Sequence, residues 1–375
     1  MRDKALSQYS PSHSPRAPVT APQKRLALRR DVVAIRIWLA ILCAAIVTIL
    51  IVGGITRLTD SGLSITQWRP ISGALPPLSH EQWQAEFARY QEIPQFHLVN
   101  ASMTLAEFKY IYFWEWLHRN LARSLGLIFL LPLILFSLRR SVAPWLAGLL
   151  WGSFIVGVLG QGLIGWWMVS SGLRDQANEL TRTSVAPMRL MIHLFLPLTL
   201  LALLFGLIRL TREAGSAQAR GFRTGDLVML GALFAQILLG ALVAGNDAGR
   251  IFTDWPLMGG QFVPAGYWDL HPLWRNLVEN RAPVQFNHRL VGYGVFILAW
   301  WLALRTPRAH ELRSARLGLA MILTGQLILG IATVLHAAPL SLALPHQILA
   351  VICLLWAVSN VVGSAHLQPS SSRAN

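Results

Sequence analysis

The sequence is poor in charged residues and in cysteine. Only 13% of its 375 residues are charged and 54% are hydrophobic, whereas about 25% of the residues of an ordinary soluble domain are charged. These proportions argue against a soluble globular protein and favour an integral membrane protein. The two cysteines, Cys43 and Cys353, both lie inside apolar runs, where a thiol usually behaves as a small buried hydrophobe. A disulfide framework and a cysteine-based metal site are therefore excluded.

Acidic residues are scarcer than basic ones, which gives a formal net charge of +15. A nucleic-acid-binding protein concentrates its Lys and Arg on one face or stripe. Here the basic residues stand between apolar runs, as they do in the short cytoplasmic loops of membrane proteins. We therefore expect membrane lipid, and no nucleic acid, as a partner.

Eight apolar runs have about the 20 residues that cross a bilayer as a helix. They lie near residues 34–54, 118–138, 145–168, 188–208, 226–245, 288–304, 317–336 and 342–362. Arg-rich loops follow the second, fourth and sixth runs, so the positive-inside rule assigns these loops and both termini to the cytoplasm. Two long segments, 55–117 and 246–287, remain outside, and their Trp, Pro and Gly content predicts ordered lids. The predicted fold is thus an all-α integral membrane protein with eight transmembrane helices.

The two halves of the chain repeat one pattern. Residues 60–68 read D-S-G-L-S-I-T-Q-W, and residues 247–255 read D-A-G-R-I-F-T-D-W. Further matches follow in the same order: His118-Arg119 with His288-Arg289, G-Q-G-L-I-G from Gly160 with G-Q-L-I-L-G from Gly325, and His193 with His346. Because four spans separate equivalent points, the copies share one orientation. The sequence therefore predicts two tandem four-helix bundles.

This repeat defines the expected domains. They are a disordered cytoplasmic tail (1–30), an N-terminal four-helix half (31–210), a cytoplasmic linker (211–225), a C-terminal four-helix half (226–364) and a second tail (365–375).

Four histidines recur at equivalent places near the outer ends of the even-numbered spans: His118, His193, His288 and His346. Within one half these helices run parallel, so two histidines can meet at similar depth. Imidazole is a standard axial ligand of haem iron, and ionisable residues inside membrane spans are costly and usually functional. A lone histidine would more often be a polar interface residue bonded to a carbonyl. Four in two equivalent pairs predict two haem sites.

The halves differ three residues before the first histidine, where Glu115 in one corresponds to Gln285 in the other. Residues three apart share a helix face, so Glu115 should adjoin the first pocket. A carboxylate can move protons or stabilise positive charge, whereas an amide does neither well. The difference predicts chemistry in the first half and a permanent redox haem in the second. The alternative is an interfacial acid that only pairs with Arg119.

Arg119 and Arg289 each follow the first histidine of a pair. Either could hold a haem propionate through charge-assisted hydrogen bonds, and simple snorkelling to the interface is equally compatible with the sequence.

These motifs resemble the haem A synthase family, which converts haem O to haem A for cytochrome oxidases. The resemblance covers nearly the whole chain after the tail. It rests on G-G-I-T-R-L-T-D-S-G-L-S-I-T-Q-W-R-P-I-S-G-A-L-P-P (53–77), F-W-E-W-L-H-R (113–119), F-N-H-R-L-V-G (286–292) and L-P-H-Q (344–347). The match is closest to the alphaproteobacterial and mitochondrial form, which lacks a cysteine pair in the first outer loop.

The resemblance implies that His288 and His346 bind haem b while His118 and His193 face the substrate, haem O. It also implies that a ring methyl group is oxidised to a formyl group and that Glu115 is catalytic. A haem O synthase partner, an unidentified electron acceptor and a bacterial inner membrane are further expectations, with the mitochondrial inner membrane as the alternative location.

Two other functions remain compatible with the sequence. The main alternative is a di-haem b-type electron-transfer protein in which both haems are permanent. A haem exporter or chaperone ranks last, because Glu115 would then have no task.

Overall fold

The computed structural model describes residues 21–173, 183–213, 222–308 and 312–366, and these form helices joined by turns, with no strand among them. The helices, in chain order, are α1 (Ala21–Leu58), α2 (His80–Gln91), α3 (Pro94–Val99), α4 (Leu105–Leu138), α5 (Pro144–Phe154), α6 (Gln161–Val169), α7 (Pro187–Glu213), α8 (Thr224–Gly245), α9 (Arg281–Arg305), α10 (Leu312–Leu335) and α11 (Leu340–His366). A π-helical segment, Ile155–Gly160, joins α5 to α6. The all-helical prediction is confirmed for the described residues.

Seven helical stretches in the described part of the chain are long and apolar enough to cross a membrane. They are Asp31–Leu58, Leu105–Leu138, Pro144–Val169, Pro187–Thr211, Thr224–Gly245, Leu312–Leu335 and Leu340–Ser364. The other predicted span, 288–304, forms part of α9, which is a helix of 25 residues. Its first third carries Arg281, Gln285, His288 and Arg289, so α9 is less apolar than its neighbours.

The helices contact one another both within each half of the chain and between the halves. In the first half α1 contacts α4 and α7, α4 contacts α5, and α6 contacts α7. In the second half α8 contacts α9 and α11, and α10 contacts α9 and α11. The halves meet where α7 contacts α8 and α11 and where α1 contacts α11. One continuous apolar core, which includes Leu42, Phe129, Leu201, Leu233 and Leu354, runs through both halves.

Segments 55–117 and 246–287 are called outer segments here after the side of the membrane that the sequence predicts for them, and the first is a folded cap. A capping box between Ser79 and Gln82 starts α2 and satisfies main-chain N–H groups that have no partner within the helix. Tyr90 and Phe108 are fully buried in the apolar cluster of this cap. The outer segment of the second half is held by Asn276, whose side chain bonds main-chain groups of Leu270 and Leu273. Both outer segments are thus ordered, as their composition predicts.

The repeated Asp-x-Gly motifs form turns at the ends of α1 and α8. Asp60 and Asp247 both have left-handed backbones, with φ of 53° and 51°, a conformation that Asp tolerates better than most residues. Arg57 bonds both carboxylates, at 2.7 Å to Asp60 and 3.0 Å to Asp247. This arginine therefore joins the equivalent turns of the two halves.

Helix α1 begins earlier than the sequence led us to expect. The predicted tail extends to residue 30, whereas the helix starts at Ala21. The segment 23–30 consists of Gln, Lys, Arg, Leu and Ala, which are good helix formers and lengthen the helix ahead of the apolar span that begins at Asp31. The predicted tail residues 1–20 and 367–375 and the linker residues 214–221 lie outside the described residues.

Candidate functional site

The four repeated histidines meet in two pairs. His118 of α4 faces His193 of α7, with ring centres 6.5 Å apart. His288 of α9 faces His346 of α11, with ring centres 6.4 Å apart. The structure thus brings together the residues that the repeat pairs, and it gives the pairs nearly identical spacing.

This spacing fits one metal ion between each pair of rings. A metal–imidazole bond is about 2 Å long, so two rings that face each other through one ion have centres about 6 to 6.5 Å apart. Among the described residues there is no group of three or more His, Cys, Asp or Glu side chains that could hold an ion. Each pair therefore offers only two axial ligands, which suits an iron whose other ligands come from a porphyrin.

Each histidine ring lies against a glycine of a neighbouring helix. A Cβ at Gly53 would lie 2.8 Å from the Cε1 atom of His118, and a Cβ at Gly165 would lie 3.0 Å from that of His193. In the second half the corresponding distances are 3.2 Å from Gly240 to His288 and 2.9 Å from Gly330 to His346. Separations this short require the ring to shift. The glycines therefore set how closely the helices approach and where each imidazole lies.

A glutamine lies beside three of the four rings. Gln161 donates to the main-chain oxygen of His193 at 2.8 Å, and its Nε2 is 3.0 Å from the ring Nδ1. Gln236 lies in the same way at His288, with distances of 3.0 and 3.2 Å. Gln326 donates to the main-chain oxygen of His346 at 3.0 Å.

Glu115 is 3% exposed and lies under the outer segment of the first half. Its Oε2 accepts from the Ser64 hydroxyl at 2.7 Å and from the Ile65 N–H at 2.8 Å. Its Oε1 pairs with Arg119 at 2.5 Å. In the second half Gln285 donates instead to the main-chain oxygen of Phe252 at 2.9 Å. The side chains at these equivalent positions both bond the outer segment, but only the first half has a buried carboxylate there.

The two candidate propionate-binding arginines bond the outer segments. Arg119 donates to the main-chain oxygens of Ile65 and Gln67. Arg289 donates to those of Phe252, Asp254 and Leu257. The Nε of Arg289 is buried without a partner, so this side chain retains one donor for a ligand. These bonds to main-chain oxygens were predicted neither by the hypothesis of a propionate ligand nor by that of snorkelling to the interface.

Arg123, which lies one turn deeper than Arg119, bonds the same outer segment and a neighbouring side chain of α4. Its guanidinium donates to the main-chain oxygens of Pro70 and Arg69 and to the side chain of Asn120. At the equivalent place Tyr293 accepts from Trp255. Both halves therefore bind their outer segment from this helix position, with different side chains.

Sequence reasoning missed the three glutamines and the four glycines that position the rings. Each glutamine precedes its glycine by four residues, as Gln161–Gly165, Gln236–Gly240 and Gln326–Gly330, and Ile49–Gly53 has the same spacing. Residues four apart share a helix face. This repeated spacing is the signal that could have identified them.

Comparison with known proteins agrees with the resemblance. The family model for the cytochrome oxidase assembly protein COX15-CtaA matches residues 36–358. Curated proteins named heme A synthase are similar over most of their length. That of Dinoroseobacter shibae is 48% identical over 336 residues, covering 86% of this chain and 85% of the relative. That of Paracoccus denitrificans is 46% identical over 330 residues, covering 85% and 84%.

The matched region contains both histidine pairs, Glu115 and the repeated turns. The family resemblance inferred from the motifs is therefore confirmed, and this chain belongs to the COX15-CtaA family of cytochrome oxidase assembly proteins.

Proposed function

We propose that this protein is a haem A synthase, an oxidoreductase that converts a ring methyl group of haem O to the formyl group of haem A. One observation carries the proposal: two equivalent histidine pairs have ring centres 6.5 and 6.4 Å apart, and only the first half has a buried carboxylate, Glu115, three residues before the first histidine of its pair. The activity in the names of the bacterial relatives supports the same conclusion.

The proposed architecture is two tandem four-helix units, 31–210 and 226–364, with α9 as the eighth membrane helix. The contacts among α1, α4, α5, α6 and α7 and those among α8, α9, α10 and α11 support this division. The proposed location is the bacterial cell membrane with both termini in the cytoplasm.

The two sites have different proposed tasks. His118 and His193 bind the substrate, haem O, and His288 and His346 bind a resident haem b. When bound, haem b supplies a redox centre that takes up electrons. Glu115 stabilises positive charge that develops on the substrate, or takes a proton from it, because a carboxylate paired with Arg119 lies one helix turn before His118. Gln285 cannot do this in the second half.

Arg119 and Arg289 are the proposed propionate ligands. Both lie one residue after a pair histidine, and each is partly buried under an outer segment. A carboxylate arriving there would meet a cation already positioned by main-chain oxygens.

Pigment analysis tests the function directly. The purified protein should contain haem B together with haem O or haem A, as separated by chromatography of the extracted haems. His288→Ala should lose haem B from the second pair. Haem B alone in the wild-type protein, with no haem A formed in cells that supply haem O, would instead support the di-haem electron-transfer alternative.

A proposed partner is the enzyme that makes haem O, since this apolar substrate has to reach the first pair within the membrane. The electron acceptor is a further partner that the described residues do not identify.

A further inference from the structure

Three aliphatic side chains of the first outer segment project from one turn and are almost uncovered. Ile71, Leu75 and Leu78 are 87%, 70% and 76% exposed. We call residues 69–78 the aliphatic turn. A cluster of exposed apolar side chains marks a surface that contacts another molecule or a membrane.

The aliphatic turn is held against α4 at the depth of the first histidine pair. The main-chain oxygen of Ala74 accepts from the indole N–H of Trp116 at 3.2 Å and from the side-chain amide of Asn120 at 2.9 Å. His118 lies between these two donors in the same helix. The turn therefore lies beside α4 where the apolar run of this helix begins.

A second attachment satisfies the main chain at the start of the turn. The guanidinium of Arg123 donates to the main-chain oxygens of Arg69 at 2.9 Å and Pro70 at 2.8 Å. Within the turn the N–H of Ala74 donates to the main-chain oxygen of Ile71 at 3.1 Å. Main-chain groups without a partner are costly near lipid. These bonded carbonyls therefore suit a turn that borders the apolar part of a bilayer.

The face of α4 that carries the donors continues inward as an exposed apolar stripe. Trp116, Asn120 and Arg123 are separated by four and three residues, so they lie on one helix face. Further along the helix, exposed aliphatic residues follow on the same face at similar spacing: Leu127, Leu131, Ile134 and Leu138. Since this helix is long and apolar enough to cross the membrane, the stripe faces lipid. The aliphatic turn is the outward continuation of this lipid-facing surface.

The second half cannot hold a turn on α9 in the same way. Phe286 and Leu290 occupy the places equivalent to Trp116 and Asn120, and neither side chain has a hydrogen-bond donor. The attachment of the aliphatic turn is therefore a feature of the first half.

We propose that the aliphatic turn is a membrane-contacting element, and that Ile71, Leu75 and Leu78 insert into the outer leaflet beside the first histidine pair. Irregular main chain does not lie exposed to lipid inside the hydrocarbon core. The turn itself therefore lies at the boundary between headgroups and acyl chains, where an apolar surface enters by roughly 5 to 10 Å. The partner is lipid, and the proposal does not depend on the reaction that the protein catalyses.

A fluorescent label at Leu75 tests this position. The full-length Leu75→Cys protein is labelled with the fluorophore NBD and placed in phosphatidylcholine nanodiscs. Ile71→Cys repeats the measurement at a second site of the turn. Native Cys43 and Cys353 are buried, so the wild-type protein should take up no label and serves as the blank.

Leu98 offers a matched control, because it is also aliphatic and 63% exposed. It belongs to α3, whose Phe96 contacts Tyr90, and Tyr90 contacts Phe108 of α4. Phe108 precedes His118 by ten residues, which places it about 15 Å further outward along the helix. A label on Leu98→Cys should therefore lie in water.

The two labels should respond to opposite quenchers. Nitroxide groups on the lipid acyl chains should quench the label at residue 75 several-fold more than the label at residue 98. Iodide in the aqueous phase should show the reverse order. Unchanged circular dichroism shows that each labelled protein is folded.

Equal quenching by iodide at the two positions overturns the proposal, because the turn would then lie in water. Protection of residue 75 from both quenchers also overturns it. In that case protein, such as a second copy of this chain, covers the turn in place of lipid.

Discussion

Glu115 is a buried acidic residue, and its three partners, Ser64, Ile65 and Arg119, all belong to the first half. Replacing it with Gln keeps the shape but removes the negative charge and the proton-accepting oxygen. We expect Glu115→Gln to lower haem A formation by about a hundredfold or more, while haem B is retained by the second pair. Chromatography of haems extracted from cells that supply haem O measures both quantities.

Glu86 supplies the matched control. It is 8% exposed and pairs with Arg69 and Arg89 in the same outer cap. Glu86→Gln breaks a comparable ion pair away from the histidines, so it should reduce stability and leave haem A formation intact. An equal loss of haem A in both variants would mean that Glu115 acts only by holding the outer segment in place.

Gly330 tests the close approach of helix and ring. A Cβ there would lie 2.9 Å from His346 Cε1, whereas a Cβ at Gly325 in the same helix would have no neighbouring atom within 4 Å. Overpacking costs about 1 to 3 kcal/mol, which, if it falls on the haem-bound form, corresponds to roughly 5- to 160-fold weaker haem binding. We expect Gly330→Ala to lose Soret absorbance from the second pair and Gly325→Ala to keep it, as measured by spectra of the purified proteins.

The first turns of α9 bind the outer segment that follows α8. Arg289 makes three bonds to main-chain oxygens of that segment, and its planar guanidinium can do so because it carries several donors in one fork. A lysine has one nitrogen and cannot reach all three oxygens. Arg289→Lys should therefore loosen residues 251–257 and accelerate limited proteolysis there.

Arg250 is the control for this element, because it is exposed and belongs to the same outer segment. Arg250→Lys should leave the cleavage rate unchanged. If Arg289→Lys altered haem retention but not proteolysis, the arginine would act on the ligand and not on the segment.

The sequence alone predicted the helical fold and the partners of each histidine pair, because an internal repeat aligns positions that hydropathy cannot distinguish. It did not predict the glutamines, since a polar residue in an apolar run has no partner until the helices pack. The π-helical segment at 155–160 has no hydropathy signal, because a change in hydrogen-bond register leaves composition unchanged.

The two halves are joined near their repeated turns by an arginine of the first half that has no arginine counterpart in the second. Arg57 corresponds to Ala244 in the second half, and it bonds Asp247 and the main-chain oxygen of Ala244 at 2.6 Å. Its side chain is 14% exposed and that of Asp247 is 31% exposed, so solvent screens the pair in part. We expect a coupling of roughly 1 kcal/mol between these two residues.

A double-mutant cycle measures this coupling. Arg57→Met, Asp247→Asn and the double variant are heated in detergent, and loss of the haem spectrum reports stability. The single variants should each lower stability, and the double variant should lose less than the sum of the two. A parallel cycle with Asp60→Asn reports the contact within the first half, because Asp60 and Arg57 belong to the same turn. Additivity within about 0.5 kcal/mol in the Asp247 cycle would show that the Arg57–Asp247 ion pair does not help to hold the halves together.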